Sequence, residues 1–291
     1  MSASASASAS MSDGPGTGSV RRRTAATGGP RLLLVHGLAE NDSVWEACAA
    51  LLPPEYEVWT ARLPWSAEGV PDWGTDGDLV GPLDRALAAV PGGPQVVVAH
   101  SMSADVLLDL VDRESRRGGD ALARLGIRGL VLVSPFYRRT AGEFDWDTIS
   151  YYLNDFHLIM EEGLRVHSGD RLPAELRAAM GERVRDRVGP YGWLRFFELY
   201  LRTPQLQTGR VTVPCLVLGG EKDFAAPPGE SVALAAALPD ARALVLPGCG
   251  HFPMIEEAER FASETVAFVN SLGTGAPQRL PVPHTALEHR P

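Results

Sequence analysis

Apolar runs of strand length recur along the chain: RLLLVHG (31–37), EVWTARLP (57–64), QVVVAHS (95–101), GLVLVSP (129–135), CLVLGG (215–220) and RALVLPG (242–248). Within them apolar residues follow one another instead of alternating with polar ones. A strand that is apolar on both faces must be covered on both faces, so these runs predict an α/β fold with a mostly parallel central sheet flanked by helices. The stretches between them carry helical spacing. After Ser101, Val106, Leu107, Leu110 and Val111 share one face of a predicted helix, while Asp105, Asp109 and Asp112 fall on the other, which reads as a solvated face. Phe261, Thr265, Phe268 and Leu272 repeat at the same spacing up to Gly273, where the last helix is expected to stop.

Between residues 136 and 208 the alternation breaks. Only helical stretches appear there, such as DTISYYLNDFHLIMEEGLRV and ELRAAMGERVRDRV, which predicts a helical cap inserted between two strands. The expected organisation is an α/β core over 30–135 and 209–273, a cap over 136–208, and two disordered tails. The first tail, 1–29, is Ser/Ala/Gly-rich, and the second, 274–291, is broken by prolines; neither holds enough apolar surface to offset the entropy of ordering. The cap contains 12 of the chain's 21 aromatic residues. A lid over a sheet has an inner face that doubles as a pocket wall, so Phe136, Tyr137, Tyr152, Phe156, Trp193 and Phe197 are candidate pocket residues.

Composition narrows the class. The 291 residues are 45% hydrophobic and 22% charged, with a net charge of −9, so the basic surface that dominates nucleic-acid affinity is missing and neither nucleic acid nor anionic membrane is an expected partner. The start has no apolar core of a signal sequence, and no run approaches the length needed to span a bilayer. The three cysteines, Cys48, Cys215 and Cys249, lie in or beside apolar segments without zinc-type spacing, as buried free thiols of a reducing compartment do. A cytoplasmic protein without a metal or cofactor is expected, and the sequence carries no signal for oligomeric state.

The stretch VVVAHSMSAD brings in chemistry. Ser101 stands where a predicted strand ends and a helix begins, with small residues, Ala99 and Ser103, two positions to either side. A sharp strand-to-helix turn of this kind lifts a serine off the end of a sheet and needs small neighbours so that the two backbones can approach. An ordinary turn serine fits the same local pattern.

Four motifs in order favour the nucleophile. Over about residues 31–272 the chain resembles the α/β-hydrolase fold family: LLLVHGLAENDSVW is similar to its oxyanion loop, VVVAHSMSA to its nucleophile elbow, LVLGGEKDFAAPP to its acid turn and LVLPGCGHFPMIEEAERF to its histidine loop. The resemblance implies Ser101 as nucleophile, His251 as base, Asp223 as the acid with Glu221 its nearest rival, and the backbone amides of Leu38 and Met102 as oxyanion donors. It places His36 in the oxyanion loop and Trp45 packed near it. The sequence departs from the family pattern at three points. Ala99 and Ser103 replace the elbow glycines, ARLPWSAEG stands where an Asp-x-x-Gly-x-Gly-x-Ser loop is common, and Ala258 stands where proline is frequent. Arg62 in the altered loop is expected to form a structural salt bridge, or else to meet a polar group of the substrate.

The expected activity is hydrolysis of an ester or thioester of a mostly apolar small molecule through an acyl-enzyme on Ser101. The alternatives are a non-hydrolytic enzyme on the same scaffold (a lyase, a cyclase or a carbon–carbon bond hydrolase) and a ligand-binding protein with a vestigial triad.

Overall fold

Each predicted strand run pairs with a neighbour in one seven-stranded sheet. A computed structural model describes residues 18–69 and 73–274. The strands are β1 (Ser19–Arg22), β2 (Arg31–Val35), β3 (Glu57–Arg62), β4 (Val96–His100), β5 (Gly129–Val133), β6 (Cys215–Gly220) and β7 (Ala241–Leu246), in the order β1-β3-β2-β4-β5-β6-β7. From β3 to β7 every pairing is parallel, and β1 joins the edge antiparallel to β3.

Alternate residues of the central strands enter two separate cores. Leu33, Val35, Val97, Ala99, Leu130, Leu132 and Val217 face one side, and Leu32, Leu34, Val96, Val98, Val131, Val133, Leu216 and Leu218 face the other. Both faces are therefore dry, which is why the runs show no alternation. The helices before β5 are α1 (Glu46–Ala49), α2 (Val80–Ala89), α3 (Met102–Arg116) and α4 (Ala121–Leu125). Between β5 and β6 come α5 (Trp146–Asn154), α6 (Phe156–Ser168) and α7 (Ala174–Leu201), the helical insertion. The chain then closes with α8 (Pro228–Ala237), α9 (Pro253–Glu256) and α10 (Ala258–Thr274). In α7 the backbone leaves helical geometry at Gly189 (φ 68°, ψ 172°), the residue before Pro190, because a proline ring disfavours the helical conformation in the residue ahead of it.

Two expectations are corrected. Residues 19–22 belong to the sheet and not to a tail: Ser19 pairs with Arg62 and Arg22 with Trp59, with the Arg22 guanidinium over the Trp59 ring. Four residues are too few to show a period, and the arginines among them are of the kind that protects an edge strand. Residues 1–17 and 275–291 lie outside the described residues.

The second correction concerns α3. Asp105, Asp109 and Asp112 are buried, not solvated. The base of the insertion covers them: Asp109 pairs with Arg113 at 2.7 Å and Arg202 at 2.8 Å, while Asp112 pairs with Arg116 at 2.7 Å and accepts the Gln207 N–H at 2.9 Å. Periodicity reported two faces of α3 but not that a segment about ninety residues later would cover the polar one.

The three cysteines are free and buried. Among the described residues no helix is long and apolar enough to cross a membrane.

Candidate active site

Parallel strands deliver their carboxyl ends to one edge of the sheet, and the loops that leave those ends converge there. At the end of β4, Ser101 has φ 55° and ψ −132°, a conformation costly for a residue with a Cβ. The turn is held from both sides, because the Ser101 N–H donates to Val133 O at 2.7 Å and Ser101 O accepts from the Ala104 N–H at 2.8 Å. Ala99 and Ser103 are both fully buried against it, and the tight approach explains their size.

The loop after β6 supplies a carboxylate and the loop after β7 an imidazole. Asp223 Oδ1 accepts the N–H groups of Ala225 and Ala226 at 2.9 and 2.8 Å, which leaves Oδ2 for His251 Nδ1 at 2.8 Å. With Nδ1–H donating to the carboxylate, His251 Nε2 is free to accept from the Ser101 hydroxyl at 3.0 Å. All three side chains are buried. Burial alone would lower the His251 pKa, but the charge and hydrogen bond of Asp223 outweigh it and the pKa is raised. Glu221, the rival acid, instead accepts the Gly248 N–H at 2.8 Å and is exposed. His100 serves from beneath: its Nε2–H donates to His251 O at 2.9 Å, and burial holds its pKa far below the usual histidine range, so it stays neutral.

Beside Ser101 runs the loop after β2. A Cβ on Gly37 would stand 3.0 Å from Ser101 Cβ and 2.8 Å from His100 Nδ1, so glycine is required for this approach. The next amide is that of Leu38. Met102 opens α3, where the first N–H groups of a helix have no intrahelical acceptor. His36 braces the loop from within the core: Nδ1–H donates to Gly37 O at 2.7 Å, Nε2 accepts the Leu63 N–H at 2.9 Å, and burial pushes its pKa down to about 4.

Two of the family departures meet at this loop. The Ser103 hydroxyl donates to His36 O and accepts Trp65 Nε1–H at 3.2 Å, joining α3, the loop after β2 and the ARLPW loop through one oxygen. A glycine at position 103 could not make this bridge, and Trp65 has its partner only because serine is there. Arg62 bonds Asp42 and Glu68, each at 3.0 Å, as a structural salt bridge. Trp45 packs against Phe261 in the core, and Ala258 opens α10.

Residues 32–264 match the sequence profile of the alpha/beta hydrolase family. The chain belongs to this family. Solved structures with the same fold include a lipase candidate from Acinetobacter baumannii (TM-score 0.67, 22% identity, 93% of each chain covered). An esterase from Thermogutta terrifontis gives a TM-score of 0.58 at 22% identity, over 92% of this chain and all (100%) of that one. A thioesterase domain from the curacin biosynthetic pathway gives 0.60 at 17% identity, over 91% and 100%. No curated protein sequence matches the chain.

The helical insertion roofs the space in front of Ser101. A cavity of about 220 Å³ opens on Ser101 and His251. Phe136 and Phe156, both expected in the pocket, line it; Tyr137, Tyr152, Trp193 and Phe197 do not. Those four fasten the insertion down: Tyr152 O–H donates to Ala225 O at 2.6 Å, Trp193 Nε1–H donates to Tyr152 O at 2.8 Å, and Trp193 stacks on Phe197. Tyr137 is buried at the root of the insertion, its N–H donating to Glu230 at 2.7 Å. The wall is instead one face of α6, where Phe156, Ile159, Met160, Gly163, Leu164 and His167 recur every three or four residues. Also on the cavity wall, His167 Nε2 meets Glu40 at 2.8 Å, and that hydrogen bond raises the His167 pKa.

Proposed function

We propose that the protein is a serine hydrolase that cleaves an ester or thioester of a mostly apolar acyl group through an acyl-enzyme on Ser101. The observation that carries the reading is the buried chain Asp223–His251–Ser101, with its serine on a strained turn and its histidine tautomer fixed by the carboxylate. A serine hydroxyl is a weak nucleophile at neutral pH, so its proton must leave as it attacks. His251 Nε2 takes that proton, and the imidazolium so formed is stabilised by Asp223. The oxyanion develops toward the amides of Leu38 and Met102, and a donor of this kind is worth about 10²- to 10³-fold in comparable sites. His251 then protonates the leaving oxygen or sulfur, and a water activated by the same nitrogen releases the acid. The apolar face of α6 with Phe136 and Phe196 accommodates the acyl chain.

Intact-mass labelling with a fluorophosphonate tests this directly. One adduct per chain is expected, absent in Ser101→Ala and strongly slowed in His251→Ala, together with hydrolysis of 4-nitrophenyl esters that has an optimum in acyl length. A folded parent that takes no label would reject Ser101 as an activated nucleophile and favour a proton-transfer or binding role for the same site.

A further inference from the structure

Beside the Ser101 cavity lies a second one, of about 200 Å³, that the acyl-enzyme mechanism does not use. Ala39, Ala67 and Val184 line both, so the two spaces are neighbours across a shared wall. One side of the second cavity is aromatic, with Trp65 and Trp73 at 6.3 Å between ring centroids. The other is cationic. Arg183 and Arg187, four residues apart and hence on one face of α7, both line it.

Neither arginine has an acidic partner among the described residues, whereas Arg185 between them pairs with Asp186 at 2.7 Å. Both arginines are exposed, and two like charges one turn apart without an acidic partner are a modestly unfavourable arrangement that a bound anion would relieve. The walls are also built closely. A Cβ on Gly74 would come within 2.6 Å of Gly192 N, and one on Gly192 within 2.9 Å of the Trp73 ring, so the turn carrying Trp73 is pressed against α7. The break at Gly189 separates the segment bearing Arg183 and Arg187 from the half of α7 that packs on the core.

We infer that this cavity is a subsite for an anionic group, a phosphate or a carboxylate, carried by the substrate at a distance from its scissile carbonyl. The inference rests on the hydrolase reading for its place in catalysis. Each guanidinium offers a planar pair of N–H donors matched to such an oxyanion, and the two indoles cover the apolar linker that connects it to the carbonyl. The anion is carried either by the leaving group or by the far end of the acyl chain.

Two matched substrate pairs separate the carriers. S-hexanoyl phosphopantetheine against S-hexanoyl pantetheine places the charge on the leaving group; 4-nitrophenyl hydrogen glutarate against 4-nitrophenyl valerate places it on the acyl chain. The parent is expected to favour the charged member of one pair by about tenfold in kcat/KM, and the ratio should fall to about one in Arg183→Ala/Arg187→Ala, invert in Arg183→Glu/Arg187→Glu and persist in Arg185→Ala. Equal kcat/KM within both pairs for the parent, or a preference that survives the double alanine variant, overturns the subsite. Calorimetric binding of phosphopantetheine and of glutarate to Ser101→Ala reads the subsite without turnover. Binding that is lost when both arginines are replaced sustains it even if no ester is cleaved. Turnover of neutral esters with no such binding rejects the subsite and leaves the hydrolase reading standing.

Discussion

His251 is enclosed by a carboxylate on one ring nitrogen and a hydroxyl on the other, and Asp223 is the foremost of the charges that raise its pKa, ahead of Glu40 and Glu256. Burial lowers its pKa and Asp223 more than restores it, placing the folded value above the ordinary 6.5. In the proposed mechanism the base must be neutral to take the serine proton. Activity therefore rises as pH climbs through that value, and kcat/KM for a short 4-nitrophenyl ester, followed from about pH 5 to 9, should show an acidic limb centred above 6.5. Asp223→Asn removes the charge and inverts the tautomer preference, so kcat should fall about 10⁴-fold in a protein that still folds. A parental limb at or below 6.5 would contradict the assignment of Asp223. Ser103 carries a second prediction. Ser103→Ala leaves Trp65 Nε1 and the His36 carbonyl without their shared partner, and should cost about 1–3 kcal/mol of stability in urea titrations. Because His36 precedes the Leu38 amide by two residues, kcat should also fall by roughly 10- to 100-fold with KM little changed. The glycine common in the family at this position should do no better than alanine, since Trp65 remains; full activity in Ser103→Gly would show that the bridge has no part in holding the loop.

At the scale of elements, α6 forms much of the wall of the Ser101 cavity, and under the proposed function it sets which acyl groups fit. Met160→Trp adds bulk on the cavity face without a new charge, so the optimum of an ester series should move to shorter chains while the shortest ester is cleaved at close to the parental rate. An unmoved optimum would place the acyl group elsewhere. The parallel strands were legible in the sequence because a short, continuously apolar run bounded by turn residues has to be buried on both faces. Ser101, Asp223 and His251 were legible because their loops carry short motifs in a fixed order. The pocket was legible only in part, through Phe136 and Phe156. Ile159, Met160 and Leu164 sat in plain helical spacing after Phe156, but an expectation weighted toward aromatics favoured Tyr152, Trp193 and Phe197, which pack the insertion on the core instead. β1 was not legible, because its reason to exist is the unpaired edge of β3, some forty residues further on.

At the scale of the whole molecule, a buried carboxyl helps to join the core to the insertion. Glu230, in α8 of the core, accepts from the Tyr137 N–H and the Tyr200 hydroxyl and pairs with Arg138 at 3.1 Å, so it grips the chain where it enters and leaves the insertion. Burial dominates its titration and pushes its pKa up to about 7, despite the donors that favour the ionised form. The unfolded chain releases this proton near 4.5, so between 4.5 and 7 the native state holds a proton that the unfolded state has lost. Stability from this group is therefore complete below 4.5 and is lost as pH rises through 7, a change of about 3 kcal/mol. His36 and His100, lowered by burial, act in the opposite sense, since the unfolded chain binds their protons first and stability rises with pH toward 6.5. The net curve mixes these opposed contributions, and a difference measurement isolates one of them. Glu230→Gln keeps the shape and removes only the titration. Unfolding free energies of parent and variant, from urea titrations at about pH 5 and 8, should diverge with the variant gaining on the parent by about 2–3 kcal/mol at the higher pH. A constant difference across that range would mean that Glu230 is ionised throughout, and that its three donors, not burial, set the charge state of the clamp.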